Sequence, residues 1–159
     1  AGVYYPDTTD PAGAQRMAVT AGSTVDGIDF HLPEGNFKLN GDLDMPTRWV
    51  DPGEMFGVTF TVTNKGEALD DLPVFILLDV QGDLFFWPSW SRWVPGDQTG
   101  IDFRTESFPE GDRTVVVFPE MEWPDTGIEM DGLRFIAAVT DWSMSALASD
   151  LEIIEWSFQ

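Results

Sequence analysis

The chain holds a single imidazole, His31, so any proton relay through histidine and any Ser-His-Asp constellation would have to use it. Its neighbours Ile28, Phe30 and Leu32 alternate as one face of a strand, which places His31 with Asp29 on the opposite, polar face. A strand-surface histidine is expected there rather than a base. A second chemistry is glycoside hydrolysis by paired carboxylates, for which Glu120 and Glu122 lie one strand repeat apart, about 6.5 to 7 Å, beside the sugar-stacking ring of Trp123. With 28 Asp and Glu in 159 residues such pairs also arise by chance, and a solvated strand end is the expected role. Cysteine is absent, which removes thiol nucleophiles, disulfides and thiolate metal sites together. No catalytic residue is assigned, and a non-enzymatic protein is expected.

Two binding chemistries remain. The run Phe85-Phe86-Trp87-Pro88-Ser89-Trp90-Ser91-Arg92-Trp93 places more aromatic area in one stretch than a turn requires. In one reading its alternate rings fill a core, with Trp90 or Trp93 plugging an open end and Arg92 stacked on a ring. In the other, Trp87, Trp90 and Trp93, together with Trp123, form a platform for a polysaccharide or a partner subunit. Asp-rich turns supply oxygen ligands for Ca²⁺, a cation that takes about six to eight of them. Asp42 with Asp44, Asp70 with Asp71, and Asp125 with Asp131 are such pairs, and Asp79 with Asp83, flanking one tight turn, is the best placed. None fits an EF-hand loop, and acidic loops that keep the surface soluble are the alternative. No other cofactor is expected.

The elements that must position these residues are strands. Phe56, Val58, Phe60 and Val62 alternate with Gly57, Thr59, Thr61 and Thr63, the pattern of a strand with one buried face. Val74 to Leu78 is apolar at every position, as for a central strand covered on both sides. Leu84 to Trp87 follows a Gln81-Gly82-Asp83 turn and makes a hairpin with it. Further strands are predicted over 100–108, 113–118, 133–140 and 151–158, separated by Pro/Gly/Asp turns. Only Met144 to Asp150, capped by Asp141 or Ser143, could form a short helical turn. Regular strand spacing of this kind predicts an all-β sandwich.

The formal charge of −20 repels nucleic-acid phosphates and anionic lipid, and no basic stripe offsets it. No apolar run nears the roughly 20 residues of a membrane helix. Residues 1–33 supply two or three strands with little core of their own, so another surface is needed to complete them. The apolar positions Val19, Ile28, Phe30 and Leu32 are the expected assembly contacts, made with other domains of a longer parent chain or with identical subunits. The chain opens on Ala1 within strand-like residues, as a processed product or fragment would.

Two stretches resemble known modules. Tyr4-Tyr5-Pro6, Ala12-Gly13-Ala14, Val19-Thr20-Ala21-Gly22-Ser23-Thr24 and Gly27-Ile28-Asp29-Phe30-His31-Leu32 resemble the closing strands of a carboxypeptidase-regulatory-like, or prealbumin-like, domain. Asp51-Pro52-Gly53-Glu54, Thr61-Val62-Thr63-Asn64-Lys65-Gly66, Leu78-Asp79-Val80, Phe86-Trp87-Pro88-Ser89-Trp90 and Ala137-Ala138-Val139-Thr140-Asp141 resemble an immunoglobulin-like C-terminal module of exported bacterial proteins. The resemblance implies an immunoglobulin-like antiparallel β-sandwich over 34–159, preceded by an extra strand segment over 1–33. It also implies a structural or adhesive unit at the cell surface or outside the cell, with a filament built through the N-terminal strands as its sharper form. Because the aromatic motif recurs as part of that fold, the core reading of the tryptophans is favoured. A carbohydrate-binding module of a secreted hydrolase is the alternative.

Overall fold

A computed structural model describes residues 38–96 and 99–159. The chain divides into two compact units, Ala1–Asn36 and Phe37–Gln159, and the described residues belong to the second. His31 and the assembly positions Val19, Ile28, Phe30 and Leu32 lie outside the described residues.

The alternation around Phe60 becomes the middle strand of a small sheet. In order, the strands are β1 (Leu39–Asp44), β2 (Trp49–Val50), β3 (Met55–Asn64), β4 (Leu69–Val80), β5 (Asp83–Phe86), β6 (Ser91–Arg92), β7 (Arg104–Phe108), β8 (Gly111–Glu122), β9 (Met130–Val139) and β10 (Glu152–Phe158). One sheet has the order β1-β3-β8, and the other runs β2-β10-β9-β4-β5-β6, with β7 also on β4. Strand β4 spans twelve residues because it serves three partners. Strand β9 takes one edge, while β7 and β5 share the other, along its first and second halves. All these pairings are antiparallel except β2 on β10. The described residues form an all-β, immunoglobulin-like sandwich, antiparallel but for that one pairing.

The core lies between the sheets. Phe56, Val58, Phe60 and Val62 of β3 face inward, as their spacing predicts, against Val74 and Ile76 of β4, Phe135 and Val139 of β9 and Ile154 of β10. The outward threonines pair across strands, Thr61 with Thr114 at 3.0 Å and Thr63 with Asp112 at 2.7 Å. An aromatic stack crosses the interior: Phe135 lies on Trp156 at 5.5 Å and 5°, and Trp156 meets Trp123 edge to face. Register shifts in the β3–β8 ladder bring Val117 and Phe118 of β8 both toward the core, although they are neighbours in sequence.

Three expectations change. The strand expected from Gly100 begins only at Arg104, because Gly100 turns at φ +83° with its open side against the Arg92 carbonyl, where a Cβ would sit at 2.1 Å. The helical turn expected over Met144 to Asp150 is an irregular loop instead. Strand β4 is covered fully on its inner face but only partly on its outer one, where Phe103 packs on Phe75 at 5.1 Å and Phe75 and Leu77 are half-buried.

Candidate functional site

The aromatic run is placed by the end of β5. Trp87 is 5% exposed and belongs to the core, with the Arg104 guanidinium 5.9 Å above its ring. The chain then turns through Trp90 at φ +55°, which lays that ring on Phe118 at 4.7 Å and 18°. Trp123, at the far end of β8, packs on Phe56 at 4.8 Å and Phe158 at 5.0 Å. Trp93 is half-buried, its amide donating to the Leu84 carbonyl. The four rings do not form a platform: Trp87 is buried in the core, Trp90 and Trp123 are packed against that core on rings of facing strands, and Trp93 is half-buried.

In the acidic turn between β4 and β5, both carboxylates expected as cation ligands have arginine partners. Gln81 and Gly82 both take positive φ, the two-residue hairpin turn. Asp79, 4% exposed, accepts the Gly82 amide at 2.7 Å and forms an ion pair with Arg134 of β9. The Gly82 hydrogen bond, aided by Arg134, holds the Asp79 carboxyl below its ordinary range against the opposing effect of burial. Asp83 is paired with Arg92 at 2.5 Å. Each carboxylate thus has its own arginine. Among the described residues, no group of three or more His, Cys, Asp or Glu could hold a metal ion.

Glu120 and Glu122 sit exposed on the last turns of the β8 pleat. Glu120 lies across from Gly57, where an added Cβ would meet its Cγ at 3.1 Å, and with Asp44, Thr59 and Val116 it lines a groove of about 400 Å³. Glu122 does not line that groove, so the two carboxylates do not face one shared cleft.

The β9–β10 connection is the feature that sequence reasoning missed. Its base is fixed where the buried Ser149 hydroxyl accepts the Val139 amide at 2.9 Å and the Ala148 amide reaches the Val139 carbonyl. Above that, Asp141 gathers the polar groups. Its Oδ1 accepts the Ser145 amide at 2.9 Å, and its Oδ2 accepts the Ser143 and Ser145 hydroxyls at 3.0 and 3.2 Å. The Ser145 amide is the main reason that the Asp141 carboxyl is held below its ordinary range. Ser143 and Ser145 stay exposed while bonded to Asp141, and the apolar side chains between and beside them are exposed as well: Trp142 is 59% exposed, Met144 52% and Leu147 43%. Met144 holds φ +52°, a left-handed conformation rare for its residue type. The signal available in the sequence was Asp141 followed by Ser143 and Ser145, which fits a side-chain-capped turn as well as a helix cap.

No protein-family model and no curated protein matches the chain. Among solved structures, the CARDB domain of the PF1109 protein from Pyrococcus furiosus, in complex with di-metal ions, aligns at 16% identity and a TM-score of 0.46, covering 76% of this chain and 87% of that one. A beta-glucosidase from Listeria innocua in complex with glucose aligns at 15% identity and a TM-score of 0.37, over 76% of this chain but 16% of its own. AvmM, which catalyzes macrocyclization in alchivemycin A biosynthesis, aligns at 14% identity and a TM-score of 0.36, over 77% of this chain and 89% of its own. All three scores lie below 0.5, and no residue role is carried over from these proteins.

Proposed function

We propose that the chain is a non-enzymatic structural and adhesive module of an exported bacterial protein and that the β9–β10 loop is its contact element. The observation that supports this is the group of large apolar side chains exposed on that loop. A loop tip ordinarily solvates its polar groups. Here the exposed serines are bonded to Asp141, and Trp142, Met144 and Leu147 meet the solvent beside them. Holding those side chains in place before contact lowers the ordering cost of binding. The placement at the cell surface or outside the cell rests on the sequence resemblance to modules of exported proteins. In the same proposal, Val19, Ile28, Phe30 and Leu32 connect one subunit to the next in a filament.

The test has three arms. Polysaccharide, ester and peptide panels should show no turnover with the full chain, and turnover abolished by Glu120→Gln overturns the non-enzymatic reading. Beads coated with the full chain should adhere to envelope material of the encoding bacterium, and Trp142→Ser with Met144→Ser should remove that adhesion; equal adhesion by both rejects the loop. Filaments seen by electron microscopy that persist unchanged in Phe30→Asp reject the N-terminal connector. A second reading draws on the exposed ring of Trp142, which could stack a sugar. Retention on cellulose or chitin that is lost in Trp142→Ser would replace adhesion with carbohydrate binding.

A further inference from the structure

The outer face of the small sheet holds a groove lined by neither the tryptophans nor the β9–β10 loop. Asp44, Thr59 and Val116 stand side by side in one row across β1, β3 and β8. One strand repeat further along, Gly57 takes the outward position of β3 and is buried nonetheless, because Glu120 of β8 lies over it. A Cβ at Gly57 would sit 3.1 Å from the Glu120 Cγ and 3.3 Å from its Cα. The missing side chain lets the two strands approach and leaves a groove of about 400 Å³, with Asp44 at one corner and Glu120 at the other. Pro46 and Pro119, whose rings fix the backbone, also line it, and Val116 and Phe118 add apolar surface.

The two carboxylates of this groove are unanswered. Among the described residues, the ion pairs of Arg92, Arg104, Arg113 and Arg134 go to Asp83, Glu106 and Asp79, and neither Asp44 nor Glu120 has an ion pair or a side-chain hydrogen bond. Two like charges beside apolar walls concentrate the field of a chain already at −20, and they select a cation. A Ca²⁺ ion takes about six to eight oxygens, and among the described residues no group of three or more His, Cys, Asp or Glu could hold a metal ion. A quaternary ammonium seeks a cage of ring faces, whereas the groove has one ring, Phe118, on which Trp90 is already stacked at 4.7 Å. A guanidinium fork matches one carboxylate edge on, not two from opposite corners. A primary ammonium on an apolar stem fits, because it donates three hydrogen bonds in different directions and its methylenes cover apolar walls. Two interstrand spacings and one strand repeat put the Asp44 and Glu120 Cα atoms about 12 Å apart, room for an ammonium bridged by two charge-assisted bonds of about 2.8 Å.

We infer that this groove binds a lysine side chain of a partner protein, its ammonium held between Asp44 and Glu120 and its stem laid on Val116 and Pro119. The Thr59 hydroxyl, between the two acids, accepts the third hydrogen bond. A lysine within a protein chain is favoured over a free amine because the groove ends at β8, which among the described residues has β3 on one side and no strand on the other. An extended peptide can pair with that free edge while its lysine enters the groove. The inference shares no residue with the β9–β10 loop, so the two readings fail separately.

The probe is an end-capped Gly-Gly-Val-Lys-Val-Gly-Gly peptide, titrated into the full chain and followed by backbone-amide NMR in about 0.15 M NaCl, where charges beyond about 8 Å are largely screened. Saturable shifts should be confined to the groove and the β8 edge. Replacing the lysine by Nε-acetyl-lysine should weaken binding at least about tenfold, and replacing it by arginine about threefold. The amine without a peptide, n-butylamine, should bind at least about tenfold more weakly than the peptide. Glu120→Gln and Asp44→Asn each remove one charge without changing shape, and each should weaken the peptide about fivefold or more with an unchanged unfolding midpoint. Asp70→Asn removes a charge outside the groove and should leave binding as it is, and so should Trp142→Ser, even where it abolishes adhesion. Shifts spread over the whole surface, an equal loss from Asp70→Asn, or an acetylated peptide, an arginine peptide or n-butylamine bound as tightly as the lysine peptide overturns the inference.

Discussion

The segment from Trp87 to Trp93 and the loop from Asp141 to Leu147 both put tryptophan into irregular backbone, and the two use it in opposite ways. Both segments place a non-glycine residue at positive φ, Trp90 at 55° and Met144 at 52°. In the first, the turn delivers the Trp90 ring onto Phe118 and the interior. In the second, the turn closes around a carboxylate and leaves Trp142 outside. Aromatic density is therefore no measure of exposure. What separates the two segments is whether a facing strand offers a ring to pack on, and whether a nearby acceptor claims the local amides.

Truncation is the sharpest way to break this comparison. Trp87→Ala should cost about 3 to 5 kcal/mol in urea unfolding, because it empties a site in the core, while Trp142→Ala should change stability by less than about 0.5 kcal/mol. Similar losses for the two would mean that the loop packs against something in solution, and the contrast between the segments would fall.

Asp79→Ala should come next, at about 2 kcal/mol in the same measurement. It leaves the Gly82 amide and Arg134 without their shared acceptor at the mouth of the β4–β5 hairpin. If addition of Ca²⁺ stabilises the wild type but not Asp79→Ala, the carboxylate is a cation ligand and its structural role is the wrong account.

The smallest effects are in acid, where two carboxylates should respond with opposite sign. Asp141 is held low, chiefly by the Ser145 amide, so its contribution is present above its ordinary pKa and is lost as pH falls through the lower, folded one. As pH falls through that lowered value, the Ser145 and Ala146 amides should lose protection from hydrogen exchange before the core does. Glu152 is raised, first by burial and then by Asp150 and Asp42, so its contribution is present in acid and is lost as pH rises through the raised value. Glu152→Gln should accordingly gain up to about 0.5 kcal/mol at pH 7 and nothing near pH 3. A loss at pH 7 would show that the charged form is the stabilised one.

Much of the sandwich was legible because its signals are local. The β3 alternation, the Gln81-Gly82 hairpin and the last strand each follow from a side-chain period of two and from turn chemistry. Strands β1 and β2 were not legible: β2 is two residues long and stands beside β10 in parallel, a pairing with no signature of its own in sequence. Strand β7 begins late because Gly100 must fit against the Arg92 carbonyl, a contact between segments that sequence spacing does not encode.

The candidate site divides in the same way. The sequence identified Asp79, Asp83 and the tryptophans as unusual, and it determined by period and turn type that they would sit at strand ends. Only the tertiary structure decided that Arg134, fifty-five residues from Asp79, would take the carboxylate, and that Phe118 would receive Trp90. Periodicity states which face of a strand is apolar. It does not state whether a neighbour covers that face, and so the interior fate of Trp87 and the partial cover on the outer face of β4 had to wait for the tertiary packing.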